Sequence, residues 1–298
     1  MYYSPLRYPG GKSKLAAFIT KICQDNDLTE SYVEPYAGGA SVALHLIINN
    51  IVNHVHINDA DRSLFAFWHC LIHDSEKVLQ SIESMQINMD SWNYFKLIQK
   101  EKDTCDLIDL ALSTFFLNRT NRSGILNAGV IGGKDQSGNY KMDCRFNKKD
   151  IIKRLERIIN LKDKITVTNL DALDLIKQHE YSGNNVGKIA YFDPPYYYKA
   201  DSLYMNHYQP EDHKLVAEKI KSIRNFHFVI SYDDNEAIRS LYSELPSKRY
   251  SFSHNIINSR KGMEILFFDK NLIVDDLTNR NPVKFRHNRK KNIIQYIN

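Results

Sequence analysis

The chain has 298 residues, of which 43% are hydrophobic and 25% charged, and this composition is typical of a soluble globular protein. At about 100–200 residues per domain, the length allows one large α/β domain with an insertion, or two domains. The sequence has no apolar run of about 18 residues and no signal-peptide core, so we expect a cytoplasmic protein without a membrane segment; its net charge of +5 weakly favours a polyanionic partner.

The predicted elements of the first half alternate strands, glycine turns and helices. An apolar run predicts a strand at residues 32–33, and helical periodicity follows two glycines at residues 41–49. A second strand is predicted at residues 52–57. The next predicted elements are helices at residues 63–85, 92–100 and 106–118. A loop at residues 124–138, which holds five of the twelve glycines, ends this helical block.

The second half returns to alternating helices and strands. Residues 149–161 predict an amphipathic helix with its isoleucines on one side. The remaining predicted elements are strands at 165–169 and 189–192, a helix at 211–223, a strand at 226–231 and a hairpin that pairs 249–254 with 263–268. This order favours the α/β class, with a Rossmann-like, doubly wound, largely parallel sheet and an inserted, mostly helical subdomain.

These boundaries divide the chain into three parts. Residues 1–64 and 149–275 are expected to form the sheet domain, residues 65–148 the helical insertion, and residues 276–298 a basic tail. The basic residues of the tail are Arg280, Lys284, Arg286, Arg289, Lys290 and Lys291. A tail of this kind is as typical of a solvated, mobile chain end as of a segment that binds a polyanion.

The most specific chemical motif is Asp193-Pro194-Pro195-Tyr196, which follows a predicted strand. In an open α/β sheet, ligands bind beyond the carboxyl ends of the strands. The prolines leave carbonyl oxygens as acceptors, Asp193 adds an acceptor carboxylate, and Tyr196 adds a flat face for stacking. This set suits an amine that attacks a methyl sulfonium, because the hydrogens of the amine need acceptors. The alternative is a proline turn with a solvated aspartate.

A glycine turn at residues 34–39, with the sequence EPYAGG, joins a predicted strand to a helix. Such a turn lets a ligand approach the backbone at a helix N-terminus. Asp59 ends the next strand, where acids bind ribose hydroxyls in folds of this kind. The motif GxGxxG is missing, so a nicotinamide-dependent oxidoreductase is disfavoured. Taken alone, the turn is more typical of ordinary helix capping.

The N-terminal segment contains Tyr8 and a Gly-Lys-Ser sequence that includes Lys12. A P-loop requires glycine five residues before Gly11, and Leu6 stands there, so the sequence disfavours a nucleoside triphosphatase. What remains is a glycine turn that presents Tyr8 and Lys12.

A polar and basic cluster ends the last predicted helix of the insertion, with Arg119, Asn121 and Arg122 before a glycine. Arginine binds guanine bidentately, asparagine binds adenine, and arginine also binds phosphates. A solvated helix C-terminus, where arginines favour the helix dipole, would give the same pattern.

Together and in this order, these segments resemble the Dam-like class of DNA adenine methyltransferases, from residue 3 to about residue 268. The resemblance implies an enzyme that uses S-adenosyl-L-methionine (AdoMet) to methylate the exocyclic 6-amino group of an adenine flipped out of double-stranded DNA. It implies an AdoMet-dependent methyltransferase sheet, with residues 65–148 as the target-recognition subdomain. No metal is expected, since the four cysteines lie far apart and no cluster has metal-ligand spacing.

The resemblance also implies roles for individual residues. Those expected in catalysis are Asp193, Pro194, Pro195 and Tyr196. Those expected to bind the cofactor are Tyr8, Lys12, Glu34, Pro35, Ala37, Gly38, Gly39, Asp59, Asp171 and Asp193. Those expected to bind DNA are Arg7, Arg119, Asn121, Arg122, Arg260 and Lys261.

Two alternatives stay open at this point. The same tetrapeptide would serve an aminomethyltransferase that acts on cytosine or RNA, although the motif order favours adenine. A non-catalytic DNA-binding subunit is the second alternative, and the intact Asp193, Asp59 and Lys12 argue against it. The sequence is compatible with a cognate restriction enzyme or another defence-system partner, and we expect a monomer.

Overall fold

The computed structural model describes residues 3–8, 10–182, 185–197, 208–252, 262–274 and 279–297. Within these residues, seven strands form the central sheet: β1 (Ser31–Glu34), β2 (His54–Asn58), β3 (Ile165–Thr168), β4 (Lys188–Phe192), β5 (His227–Asp233), β6 (Ser247–Phe252) and β7 (Gly262–Phe268). Their spatial order is β3-β2-β1-β4-β5-β7-β6.

The sheet is largely parallel, as predicted. The first five strands in this order pair in parallel, and β7 lies antiparallel between β5 and β6. The direction of strand succession reverses between β1 and β4, because β2 and β3 extend to one side and β5 to the other. A crevice therefore opens beyond the carboxyl ends of β1 and β4, where ligands bind in doubly wound sheets. The predicted Rossmann-like α/β fold is confirmed.

Ten α-helices lie in the described residues: α1 (Ala16–Asp25), α2 (Ser41–Ile48), α3 (Arg62–His73), α4 (Ser75–Ser84), α5 (Met89–Lys100), α6 (Leu107–Thr120), α7 (Lys148–Ile159), α8 (Ala172–Tyr181), α9 (Pro210–Ser222) and α10 (Glu236–Leu241). The segment predicted as one helix over residues 63–85 is two, because Asp74 leaves helical geometry between α3 and α4. Helices α1, α8 and α10 were not among the predicted elements.

Aspartate and asparagine side chains begin most of these helices. Each of these caps accepts a hydrogen bond from a backbone N–H in the first turn, which would otherwise lack a partner. The capping residues are Asp61, Asn88, Asp106, Asn147, Asp171 and Asn235. The caps set the angle at which the chain leaves each loop, including the loops beyond β2 and β3.

The helices between β2 and β3 share a hydrophobic core with the sheet. Phe67 of α3 stacks on Phe115 of α6 with ring centroids 5.6 Å apart, and both belong to the buried cluster that contains Val55 of β2. A separate cluster, which includes Phe192, Val216 and Phe267, contains α9, α10 and their sheet contacts. The inserted helices are therefore packed on the sheet, and α3 supplies Trp68 to the site described below.

The C-terminal segment folds as a second, two-stranded sheet of β8 (Phe285–Asn288) and β9 (Ile293–Tyr296). Phe285 is 2% exposed and contacts Phe18 of α1, with ring centroids 5.3 Å apart. The basic residues of the predicted tail are exposed around this hairpin. Residues 279–297 therefore form an anchored basic hairpin and not a loose chain end. No helix in the described part of the chain is long and apolar enough to cross a membrane.

Candidate active site

A cavity of about 600 Å³ lies in the crevice beyond β1 and β4. It is bordered by the N-terminal loop, the turn after β1, the loop after β2, and the start of α8. Among its described lining residues, six carry carboxyl groups and one is a lysine: Glu34, Asp59, Asp61, Asp171, Asp193, Asp212 and Lys12. This excess of acids suits a cationic ligand and disfavours a phosphate-bearing one.

Asp193 lies at the rim of this cavity, directly after β4. Its carboxylate forms a salt bridge with Lys12 Nζ at 2.9 Å, and it accepts a hydrogen bond of 2.6 Å from Ser231 Oγ. Ser231, on β5, accepts in turn from the hydroxyl of Tyr191 at 2.8 Å. Burial raises the pKa of Asp193, and Lys12 and Ser231 act against that rise. The side chain is thus held from two sides while 22% of its surface stays exposed.

Lys12 is only 7% exposed, although it comes from a loop. Besides Asp193, its ammonium donates to Gly10 O at 3.1 Å and lies 3.7 Å from Glu264 Oε1. Burial alone would lower the pKa of Lys12, but the nearby carboxylates of Asp193 and Glu264 raise it well above its ordinary value. Lys12 is therefore charged at neutral pH.

The hydroxyl of Tyr196 is buried between Glu264 and Lys12. It donates to Glu264 Oε1 at 2.5 Å, and Lys12 Nζ lies 5.2 Å from the ring centroid. The residue is 6% exposed, so little of the ring is open to a ligand in this structure. Pro195 lines the cavity, whereas Pro194 is buried.

Glu34, at the end of β1, leaves one carboxylate oxygen without a partner. Its Oε1 accepts from Tyr32 Oη at 2.9 Å and from Ala43 N at 3.1 Å, while Oε2 is buried and has none. Burial, which outweighs the hydrogen bonds from Tyr32 and Ala43, raises the pKa of Glu34 to about 8. Glu34 also lines the cavity, and an unpartnered carboxylate oxygen is the kind of acceptor that an ammonium group requires.

Asp59 braces the glycine turn after β1. Its Oδ2 accepts from Gly38 N at 2.8 Å, and its Oδ1 accepts from Asp61 N at 2.9 Å. Burial, and then the neighbouring charge of Asp61, raise the pKa of Asp59 to about 7. Asp59 lines the cavity together with Pro35, Ala37 and Gly39. Asp171 also lines it, and its side chain caps α8.

Gly38 has a φ of +48° and lies under the ring of Tyr8, which would be 2.6 Å from an added Cβ. We expect Gly38→Ala to cost about 1–2 kcal/mol of folding stability from the left-handed backbone alone, and to displace Tyr8. Cofactor affinity should then fall roughly tenfold. Calorimetric unfolding and titration with the cofactor would measure both effects.

The matched control is Gly39→Ala. An added Cβ there meets Tyr8 Cβ at 3.1 Å, and Gly39 is not among the residues with a positive φ. The losses of folding stability and of cofactor affinity should both be clearly smaller in Gly39→Ala than in Gly38→Ala. Equal losses in the two variants would contradict the role of the left-handed turn.

Several residues of the site were not predicted from the sequence. Asn58, fully buried, donates to Pro35 O at 2.9 Å and to Leu170 O at 3.0 Å, so one side chain joins the loops after β1, β2 and β3. Trp68 donates to Gly38 O at 2.9 Å. Ser231 and Glu264 flank Asp193 and Lys12. Only Asn58 had a sequence signal, because it stands beside Asp59 at a strand end.

The asparagines at the end of α6 have their polar groups inside the protein. Asn121 is 0% exposed; it accepts from Trp92 Nε1 at 2.7 Å and donates to Ile125 O and Leu126 O. Asn118 accepts from Arg7 N at 2.7 Å and donates to Arg7 O at 3.0 Å. These contacts fasten the N-terminal loop to the glycine-rich loop, and they leave Asn121 no free polar group for a base.

The three predicted DNA-binding arginines in the described residues differ in exposure. Arg122 is exposed, directly after α6. Arg7 is half-buried and donates to Asn121 O at 3.2 Å. Arg119 is also half-buried; it donates to Pro5 O at 3.2 Å and to Arg145 O. Arg260 and Lys261 lie outside the described residues.

No group of three or more His, Cys, Asp and Glu side chains in the described part of the chain is placed to hold a metal ion. The cysteines are free: Cys23 and Cys70 are buried, Cys105 is half-buried and Cys144 is exposed.

Comparison with known proteins identifies the family. The chain is 24% identical over 209 residues to the Type II methyltransferase M.MjaIII of Methanocaldococcus jannaschii, covering 64% of this chain and 68% of that protein. Among solved structures, the rRNA methyltransferase AviRa of Streptomyces viridochromogenes aligns with a TM-score of 0.37 and 10% identity, over 88% of this chain and 86% of that one. The family model of the D12 class N6 adenine-specific DNA methyltransferases matches residues 8–261. The chain therefore belongs to the D12 class of N6 adenine-specific DNA methyltransferases.

Proposed function

We propose that this DNA adenine methyltransferase binds AdoMet in the acid-lined cavity and that Asp193 holds the 6-amino group of an adenine flipped out of double-stranded DNA. The observation that supports this most is the position of Asp193, which stands at the rim of a cavity whose described lining has six carboxyl groups and one lysine. AdoMet carries a sulfonium and an ammonium, so its charge fits this lining.

We assign the cofactor contacts by chemistry. The unpartnered Oε2 of Glu34 suits the ammonium of AdoMet, and Asp59 suits the ribose hydroxyls. Asp171, at the start of α8, suits the adenine base of AdoMet. The residues that would shape the pocket around these contacts are Tyr8, Lys12, Pro35, Ala37, Gly38 and Gly39.

For catalysis, we assign Asp193 and the carbonyl of Pro194 to accept hydrogen bonds from the target amine. When bound, AdoMet supplies a methyl group activated on sulfur. Lys12 and Ser231 hold the Asp193 carboxylate in place, so its negative charge is already oriented when positive charge develops on the amine. Flipping the adenine costs a few kcal/mol, and stacking on Tyr196 would return roughly 1–3 kcal/mol. That stacking requires more of the Tyr196 ring to become exposed when DNA binds.

We further propose that the inserted helices, with residues 65–148 as the expected bounds, recognise DNA, while residues 1–64 and 149–275 bind the cofactor. Arg122 and Arg7 are our candidates for DNA contact. Arg119 and Asn121 would instead position the loops, because their side chains bind backbone atoms inside the protein. The name of the archaeal relative favours a cognate restriction enzyme as a functional partner. We expect a monomer in the cytoplasm, where the DNA substrate is found.

Arg122→Ala should weaken DNA binding by about 1–3 kcal/mol without changing thermal stability, because the side chain is exposed. Asn121→Ala should instead lower the folding stability by about 1–3 kcal/mol and leave the DNA affinity unchanged. The reason is that this variant leaves the buried Trp92 Nε1 without an acceptor. Fluorescence anisotropy with duplex DNA and calorimetric unfolding measure the two effects. A destabilised Arg122→Ala protein with normal DNA affinity would exclude the assigned contact.

The proposal is tested by transfer of labelled methyl from AdoMet to unmethylated genomic DNA, followed by nucleoside analysis. We expect the label in N6-methyladenine, and mapping of the modified positions then gives the recognition sequence. Label in methylcytosine, or transfer to RNA alone, would contradict the proposed substrate. AdoMet binding without transfer to any nucleic acid would favour a non-catalytic subunit.

A further inference from the structure

Glu264 is a buried carboxylate that stands beside the proposed catalytic machinery. It lies on β7, opposite Asp233 of β5 and Tyr250 of β6. Only 3% of its surface is exposed. An ionised group is costly to bury unless its environment compensates, so its partners define its role.

Both oxygens of Glu264 are held by tyrosine hydroxyls. Tyr196 donates to Oε1 at 2.5 Å, and Tyr250 donates to Oε2. Tyr250 is 4% exposed and lies on the neighbouring strand, so the carboxylate is held between two buried tyrosines. The fourth residue of the Asp-Pro-Pro-Tyr motif is thereby tied to the antiparallel end of the sheet.

Glu264 is also one of two carboxylates that lie near the ammonium of Lys12. The ammonium lies 2.9 Å from Asp193 and 3.7 Å from Glu264 Oε1. One buried cation therefore stands between two carboxylates, and it remains paired when Asp193 turns one oxygen towards a substrate. The other titratable groups that face Lys12 are the hydroxyls of Tyr191 and Tyr196.

We propose that Glu264 is a positioning residue for methyl transfer, which holds Tyr196 and Lys12 in place around Asp193. This inference rests on the proposed function of Asp193. Glu264 does not touch the cavity, so it acts through the other three residues. Lys12 contributes a fixed positive charge only while it keeps its proton, and Glu264 favours that protonated form.

The test compares Glu264→Gln with the wild type in single-turnover methyl transfer and in AdoMet binding at pH 7.5. The variant keeps the shape and an acceptor oxygen but loses the charge. We expect the rate to fall roughly 10- to 100-fold, because small displacements of reacting groups cost this much, while AdoMet affinity changes less than about threefold.

One further variant separates the possible outcomes. Tyr250→Phe leaves the charge of Glu264 but frees Oε2, so we expect a smaller loss of rate with little change in AdoMet affinity. If Glu264→Gln does not fold, Tyr250→Phe still tests the anchoring: a wild-type rate in that variant would overturn the inference. A wild-type rate in folded Glu264→Gln would overturn it as well, as would a loss of rate explained entirely by lost AdoMet binding.

Failure of this inference is distinguishable from failure of the proposed function. Wild-type protein and Asp193→Ala are measured in the same series. If the wild type transfers methyl groups and Asp193→Ala does not, the function stands whatever Glu264→Gln does. If the wild type transfers none, the proposed function fails before Glu264 is tested.

Discussion

Asp193→Ala is expected to reduce methyl transfer to adenine by about 10²–10³-fold or more, to near background. The variant removes the carboxylate that we assign to the target amine, and it also releases Lys12 and Ser231 from their shared partner. AdoMet affinity should fall as well, because Asp193 contributes negative charge to the cavity that receives the cationic cofactor. The measurements are steady-state transfer to DNA and isothermal titration with AdoMet.

The protein should still fold, because Glu264 remains beside Lys12 and limits the cost of the buried ammonium. Calorimetric unfolding provides that control. Asp174→Ala is the matched variant, since Asp174 is an exposed carboxylate on α8 whose partner is Lys177. Normal transfer by Asp193→Ala would exclude the assigned site.

Glu34→Gln is expected to weaken AdoMet binding about 10- to 100-fold at pH 7.5, because it removes a charge-assisted hydrogen bond worth about 1.5–3 kcal/mol. The wild type should also release close to one proton on binding at pH 7. The pKa of Glu34 is raised to about 8, so the free site is mostly protonated at pH 7, and pairing with an ammonium requires the carboxylate. Affinity should therefore fall about tenfold per pH unit below 8, down to pH 6.

Isothermal titration in two buffers with different ionisation enthalpies measures the proton release directly. The Glu34→Gln protein should release fewer protons and should show a weaker pH dependence between pH 6 and 7.5, and the remainder should come from Asp59, whose pKa is raised to about 7. Glu30→Gln is the control, because Glu30 is exposed and precedes the other end of β1. Proton uptake, or a flat affinity profile in the wild type, would show that Glu34 does not pair with the cofactor.

The sheet could be predicted because its strands are short apolar runs that end at turn residues. β1 ends at Glu34, β2 ends at Asn58, and Asp193 directly follows β4, so polar residues mark the carboxyl edge of the sheet. Helix α1 was missed, although seven of its ten residues are buried. The break at Asp74 was missed because apolar periodicity continues across it.

The site residues that stand at or directly after strand ends could be predicted from the sequence. The residues whose place in the site depends on contacts with distant side chains could not. Asp193, Glu34 and Asp59 could be proposed from their positions after strands, and they do line one cavity. Glu264 was not proposed, because a single acid within an apolar strand gives no sign of its partner across the sheet. Asn121 was expected to read DNA; its burial depends on Trp92, which is 29 residues away along the chain.

The most direct test of the central claim is a single-turnover measurement on duplex DNA that contains one mapped target adenine. Labelled AdoMet is kept saturating for each protein, so that differences in affinity do not enter the rate. We predict rapid transfer to N6 of that adenine by the wild type and by Asp174→Ala, and a rate at least about 100-fold lower for Asp193→Ala. Equal rates for Asp193→Ala and the wild type under these conditions would contradict the role of Asp193 in holding the amine.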